Sequence, residues 1–300
     1  YPRLFNDTVA VEPPTTPAQG YNFTDDITNQ AIRWLHETDA VDSDRPFFLY
    51  FATGATHWPL QVPEKWIEPY KGKFDDGWDV LRQRTFERQK AMGIIPRNAE
   101  LTPRPAGLPA WNSLTPDAKK LTEREEEVYA GYTQQADFDI GRLLQAIDDE
   151  GNTQNTLVIE IFGDNGGSAQ GGPFGTDAWT VDGKTRSIAE RLETADEVGS
   201  DAFINFYAEC WAWEQSTPFL GMKHDAAHLG GTRDPLVISW PARIHDLGGL
   251  RTQFQHVTDV APTIYQAAGI KFPRVVDGVR QLPLEGSSMV YTFDHPNALS

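Results

Sequence analysis

Leu157-Val158-Ile159-Glu160-Ile161-Phe162-Gly163-Asp164-Asn165-Gly166-Gly167 is the stretch on which the fold turns. Its first six residues are apolar but for Glu160, and Val158, Ile159 and Ile161 are β-branched, which predicts a strand buried on both faces of a parallel sheet. That strand ends on a carboxylate, an amide and glycines. In open α/β sheets, ligands gather beyond the carboxyl ends of the strands. Asp164 and Asn165 are therefore expected to project oxygens into a site, while the glycines permit tight turns. One carboxylate and one amide from adjacent residues suit a hard divalent cation, and since calcium takes roughly six to eight oxygens, further ligands are needed. Asn-Gly after an apolar run is also a hairpin signal. Residues 168–175, Ser-Ala-Gln-Gly-Gly-Pro-Phe-Gly, carry no alternating apolar pattern that could pair back, which favours a functional loop.

Two more apolar runs have the same form. Pro46-Phe47-Phe48-Leu49-Tyr50-Phe51 leads into Ala52-Thr53-Gly54-Ala55-Thr56-His57-Trp58-Pro59, and residues 235–240 form a third buried strand after the base-rich loop 217–233. Helices are predicted between them. One begins near Thr24, with Thr24 as cap, Asp25 and Asp26 facing the helix dipole, and Ile27, Ala31 and Leu35 four apart. Others cover 78–92, 116–150, two pieces within 185–213, and 260–268. In 116–150 the apolar positions Tyr129, Tyr132, Ala136, Ile140, Leu143 and Ile147 fall at spacings of three or four before Gly151. Strand, helix, strand, helix, strand in this order predicts an α/β fold: a doubly wound, mostly parallel sheet with helices on both faces. His57, the Asp164 and Asn165 pair, and the set Lys223, His224, His228 and Arg233 all lie in loops at strand ends and are expected to converge on one crevice. Each has a plainer reading. His57 suits a buried ring with a backbone partner, Lys223 and His224 suit solvent, and His228 and Arg233 suit turn caps beside Gly230-Gly231.

Composition narrows the class. The 300 residues are 39% hydrophobic and 23% charged, and 26 Lys and Arg against 43 Asp and Glu leave a net charge of −17. Such a charge repels nucleic acid and anionic membrane surfaces, so neither is an expected partner, and no apolar run nears the roughly 18 residues of a membrane span. A single cysteine, Cys210, excludes an intrachain disulfide and any multi-cysteine metal site, and fits either a periplasmic or a cytoplasmic location.

Five motifs in order carry a resemblance: Phe-Phe-Leu-Tyr-Phe-Ala-x-Gly-Ala-Thr-His-Trp-Pro (47–59), Lys-Gly-Lys-Phe-Asp-x-Gly-Trp-Asp (71–79), Glu-Val-Tyr-Ala-Gly-Tyr (127–132), Gly-Asp-Asn-Gly-Gly-Ser (163–168) and Gly-Gly-Thr-Arg (230–233). Together they resemble the bacterial arylsulfatases of the alkaline-phosphatase-like superfamily. The resemblance implies calcium-assisted hydrolysis of small sulfate esters. Asp164 and Asn165 would ligate the cation, His57 and Lys223 would act as catalytic groups at the sulfate, and His228 and Arg233 would help bind it. Asn165, where the phosphatase branch usually has histidine, points to sulfate. Family members use a formylglycine made from cysteine or serine in a Cys/Ser-x-Pro/Ala-x-Arg motif, and no stretch of this chain is expected to supply it, Cys210 lying in Glu-Cys-Trp-Ala-Trp. Residues 1–300 are thus expected to be part of a sulfatase catalytic domain, with 63–116 as a surface excursion and the carboxyl-terminal subdomain absent. The alternatives are a non-catalytic relative that binds anions or partners, and a phosphonate or phosphodiester hydrolase.

Overall fold

In the computed structural model, residues 3–163, 165–176 and 186–299 are described. They form two units, Tyr1–Glu150 with Phe162–Pro235, and Gly151–Ile161 with Leu236–Ser300. The first unit holds the hairpin β1 (Leu4–Asn6) and β2 (Val9–Val11), then α1 (Phe23–Val41), α2 (Glu64–Ile67), α3 (Gly77–Met92), α4 (Pro116–Asp149), α5 (Ile188–Leu192) and α6 (Glu209–Gln215). In the second are β3 (Val158–Ile161), β4 (Leu236–Ser239), α7 (Val260–Ala267), β5 (Val275–Val276), β6 (Val279–Arg280) and α8 (Tyr291–Asp294).

Helix ends follow local chemistry. The Thr115 hydroxyl caps α4 by accepting from Ala118 N at 3.2 Å, and Pro116 stands in the first turn, where no donor is required. The cap of α1 differs from expectation. Asn22 Oδ1 accepts from Asp25 N at 3.1 Å, whereas Thr24 is buried inside the first turn and its carbonyl accepts from the Thr28 hydroxyl at 2.8 Å. The helical pieces within 185–213 are short, five and seven residues.

Two of the three expected strands form among the described residues, β3 and β4. β3 and β4 pair antiparallel, with Val158 opposite Ser239 and Ile161 opposite Leu236, and every sheet among the described residues is a two-stranded antiparallel pair. A pair leaves each strand with an open edge, so Ile161 is 47% and Val237 59% exposed instead of buried on both faces. Residues 46–51 belong to no regular element and carry no ladder among the described residues. Their period is nevertheless two: Phe47, Leu49 and Phe51 pack against Leu35 of α1 and Leu143 and Ile147 of α4, while Phe48 and Tyr50 face outward.

The core of the first unit is aromatic. Trp78 meets Trp111 edge-on at 4.7 Å and Trp211 at 5.4 Å between ring centroids. Residues 63–116 contribute Ile67, Trp78, Phe86 and Trp111 to the buried set. Gly131 lets α2 settle on α4, since a Cβ there would lie 2.8 Å from the Trp66 carbonyl oxygen. In the second unit Asp259 organises α7, its carboxylate accepting from His256 N and Ser287 N, both at 2.7 Å.

The inner face of α4 also carries acids. Glu125 pairs with Arg191, both buried, and Arg191 Nη1 donates to the Gly175 carbonyl at 2.9 Å. Glu126 accepts from the Tyr207 hydroxyl, and Glu214 of α6 accepts from the Thr85 hydroxyl at 3.0 Å. Burial pushes Glu126 up to about 8 and Glu214 up to about 7, from an ordinary 4.5. The folded unit therefore keeps protons that the unfolded chain has released, and stability present at acidic pH is lost as pH rises through about 5 to 8. Urea unfolding midpoints should fall across that window, and Glu126→Gln should flatten the fall. A midpoint that rises with pH there contradicts the assignment.

Candidate functional site

Two loops of the first unit meet backbone to backbone. Lys223 N donates to Gly167 O at 3.0 Å, and Asn165 Nδ2 donates to Gly231 O at 2.9 Å. Gly166 stands at φ +83°, and a Cβ on it would collide with Gly230 O, so the approach requires glycine. The Asn165 bond has a chemical consequence. A carbonyl only accepts, so the Asn165 amide must turn its NH2 toward Gly231, which leaves Oδ1 as the outward donor for a ligand. Asp164 lies outside the described residues.

Both loops are anchored from beneath. Gly167 rests on α6, where a Cβ would come 2.7 Å from Ala212. At the far end of the same loop, Thr176 and Phe206 exchange backbone hydrogen bonds at 2.8 and 3.1 Å, and Arg191 holds Gly175. The root of the Lys223 loop is clamped by Arg82 of α3. Its guanidinium donates to Thr217 Oγ1 at 3.1 Å, Thr102 Oγ1 at 2.7 Å and Phe219 O at 3.1 Å, and lies 4.3 Å from the Trp213 ring centroid. Burial lowers Arg82 to about 10, which still leaves it charged at neutral pH.

His57 reaches the same floor by another route. It is exposed, and its N–H closes a turn onto Gly54 O at 2.9 Å. His57 Nδ1 lies 3.0 Å from Trp58 O, which fixes the proton of the neutral ring on Nδ1 and makes Nε2 the atom that exchanges one. Trp58 packs on Phe206 at 4.5 Å between centroids. The buried-ring reading of His57 is thus replaced by an exposed ring with a backbone partner.

The remaining bases spread along the second loop. His228 is exposed at the entry of a short turn, with Nε2 3.9 Å from Asp225. Arg233 lies over the Phe219 ring at 5.3 Å. His224 is exposed at φ +78°, and its Nε2 accepts from Gln170 Nε2 at 2.9 Å, a third tie between the loops. Gln170, Asp225 and Arg82 were not marked by the sequence, because polar loop residues and a helical arginine read as solvated. Among the described residues, no group of three or more His, Cys, Asp or Glu could hold a metal ion.

Two candidate nucleophiles can be judged from their surroundings. Cys210 is fully buried and its thiol is pushed up to about 12, so it stays protonated and inert. Ser239-Trp240-Pro241-Ala242-Arg243 does reproduce the letters Ser-x-Pro-x-Arg, which corrects the expectation that no stretch fits. Ser239 ends β4 opposite Val158, and Arg243 lies 5.7 Å from the Trp240 ring and 3.7 Å from Asp294. In the second unit it forms a strand-end turn.

The docked loops thus bring Asn165 and the backbone of Lys223 together. The Sulfatase family profile matches residues 3–270, and the chain belongs to that family. It is similar to an uncharacterized sulfatase of Schizosaccharomyces pombe, 31% identical over 77% of this chain and 41% of that protein, and to an arylsulfatase of Klebsiella aerogenes, 30% identical over 83% and 52%. The chain thus spans about half the length of these curated relatives. A crystal structure of Ps i-CgsB in complex with a neocarrahexaose superposes with a TM-score of 0.47 at 20% identity, over 91% of this chain and 38% of that one. No helix among the described residues is long and apolar enough to cross a membrane.

Gly166→Ala tests the docking of the loops. A side chain at this φ costs roughly 1–3 kcal/mol, so exchange of the Lys223 amide should quicken by roughly tenfold or more, while amides of α4 keep their protection. Unchanged protection at Lys223 contradicts the close approach.

Proposed function

We propose that this chain is part of an arylsulfatase-type sulfuric ester hydrolase. The observation that supports the reading is the docking of the Asn165 loop on the Lys223 loop in a chain of the sulfatase family. Lys223 neutralises charge on a sulfate oxygen of the substrate. An ammonium at this position lowers the barrier as charge shifts during cleavage of the ester bond. His57, protonated on both ring nitrogens with Nδ1–H donating to Trp58 O, delivers the Nε2 proton to the bridging oxygen as the alcohol or phenol departs and is left as the neutral Nδ1–H ring. His228 and Arg233 bind the sulfate ester from the same loop as Lys223.

Asp164 and Asn165 would hold a divalent cation, calcium in this reading. The fit rests on Asn165, whose outward Oδ1 is a hard oxygen donor fixed by its own N–H bond to Gly231. Bound there, the cation supplies Lewis-acid charge to a sulfate oxygen. The nucleophile is taken to be a formylglycine hydrate from a segment outside these 300 residues, so the chain by itself is expected to be inactive. With this reading goes a doubly wound, mostly parallel sheet in which residues 46–51 form one strand.

The test compares esters on a longer polypeptide that contains this chain. Aryl sulfate should be cleaved in preference to aryl phosphonate, with activity lost to a chelator and restored by calcium. Lys223→Ala and Asn165→Ala should each lower kcat/KM by roughly 10²-fold or more. Preference for the phosphonate, or an unaffected Lys223→Ala variant, would count against the assignment.

A further inference from the structure

Tyr129 belongs to the Glu-Val-Tyr-Ala-Gly-Tyr motif, and neither the core nor the proposed chemistry accounts for its hydroxyl. The Tyr129 hydroxyl and Thr56 Oγ1 are 3.1 Å apart, and Thr56 immediately precedes His57. The Tyr129 ring packs on Tyr207 at 4.3 Å between centroids. Tyr207 is itself immobilised, because its hydroxyl donates to Glu126 and accepts from Gln215 Nε2 at 2.7 Å. Glu126 and Tyr129 are three apart on α4, so they lie on one helix face and grip Tyr207 together. The turn bearing His57 thus has two supports from the same dipeptide, Trp58 on Phe206 and Thr56 through Tyr129 on Tyr207.

We infer that Tyr129 is a positioning residue for His57, its hydroxyl holding Thr56 so that the 54–58 turn keeps His57 Nδ1–H on the Trp58 carbonyl and presents Nε2. The physical basis is registry. The bond from Nδ1 to Trp58 O closes within neighbouring residues, so a small rotation of the turn weakens it and shifts the ring toward the other tautomer. A hydroxyl pair anchored on a buried ring stack resists that rotation, and a ring without a hydroxyl does not. The consequence for catalysis rests on the sulfatase reading; the control of the imidazole does not.

Nitrogen-15 NMR of the imidazoles in the full chain, with His57 assigned by substitution, tests this directly. His57 should show a predominantly Nδ1–H neutral ring. Tyr129→Phe keeps the stack and removes the hydroxyl, and Thr56→Val removes the partner. Each should lower the ratio of Nδ1–H to Nε2–H by roughly threefold or more, the size of one neutral hydrogen bond. The double variant should lower it no further than either single one, and Thr56→Ser should restore it. An unchanged tautomer ratio in a folded Thr56→Val or Tyr129→Phe protein overturns the inference, as does an additive double variant. Should Tyr129→Phe fail to fold, Thr56→Val on the half-exposed turn decides alone. Failure of a longer polypeptide to cleave aryl sulfate would count against the sulfatase reading and leave this result standing.

Discussion

Everything proposed for the site depends on one contact, the laying of one glycine loop directly on another. Lys223 N to Gly167 O and Asn165 Nδ2 to Gly231 O cross between them, and Gly166 faces Gly230 at a distance no side chain allows. Loops without regular structure are ordinarily the least stable parts of a domain. Here both are fastened to the elements around them. Arg82 gathers the start of the Lys223 loop, α6 lies under Gly167, and the Thr176 and Phe206 bridge and Arg191 close the other end. Because both crossing bonds use backbone carbonyls, they set the position of Lys223 and the orientation of the Asn165 amide together.

That fastening relies on buried ions and, at Glu126, on a carboxyl that burial keeps protonated near neutral pH. Arg191 with Glu125, Arg82 over Trp213, and Glu126 under Tyr207 all sit away from solvent. Burying ions costs desolvation that pairing seldom fully repays, so such groups are poor contributors to net stability, though removing one partner strands the other. What they contribute is direction. Arg191 fixes the Gly175 carbonyl, Arg82 fixes Phe219 and Thr217, and Glu126 fixes the ring on which Tyr129 stands. The aromatic centre around Trp78, Trp111 and Trp211 supplies apolar burial for the same unit.

How much of this could be read from residues alone varies with the range of the interaction. The spans of α3, α4 and α7 were legible, because apolar spacing and glycine or proline ends are local signals. Strand pairing was not. The apolar run before Asp164 identifies a strand but says nothing about its partner, and β4 proved antiparallel to it. The cap of α1 shifted from Thr24 to Asn22, both of which are good cap residues, so sequence preference could not separate them. For the site, the residue types were visible but not their geometry. The glycines around Asn165 and Lys223 suggested turns, whereas their use in a loop-on-loop contact, and the tautomer of His57, depend on partners dozens of residues away or on a carbonyl direction. Ser239 shows the converse, a motif by letters that forms a strand-end turn.

The central claim is that the two loops form one anion site, and titration of the chain with inorganic sulfate in the presence of calcium tests it most directly. The side-chain amide of Asn165 and the backbone amide of Lys223 should shift together along one isotherm with a common Kd. Movement of only one of them, or two distinct midpoints, would mean that the docked loops do not bind the anion as a unit.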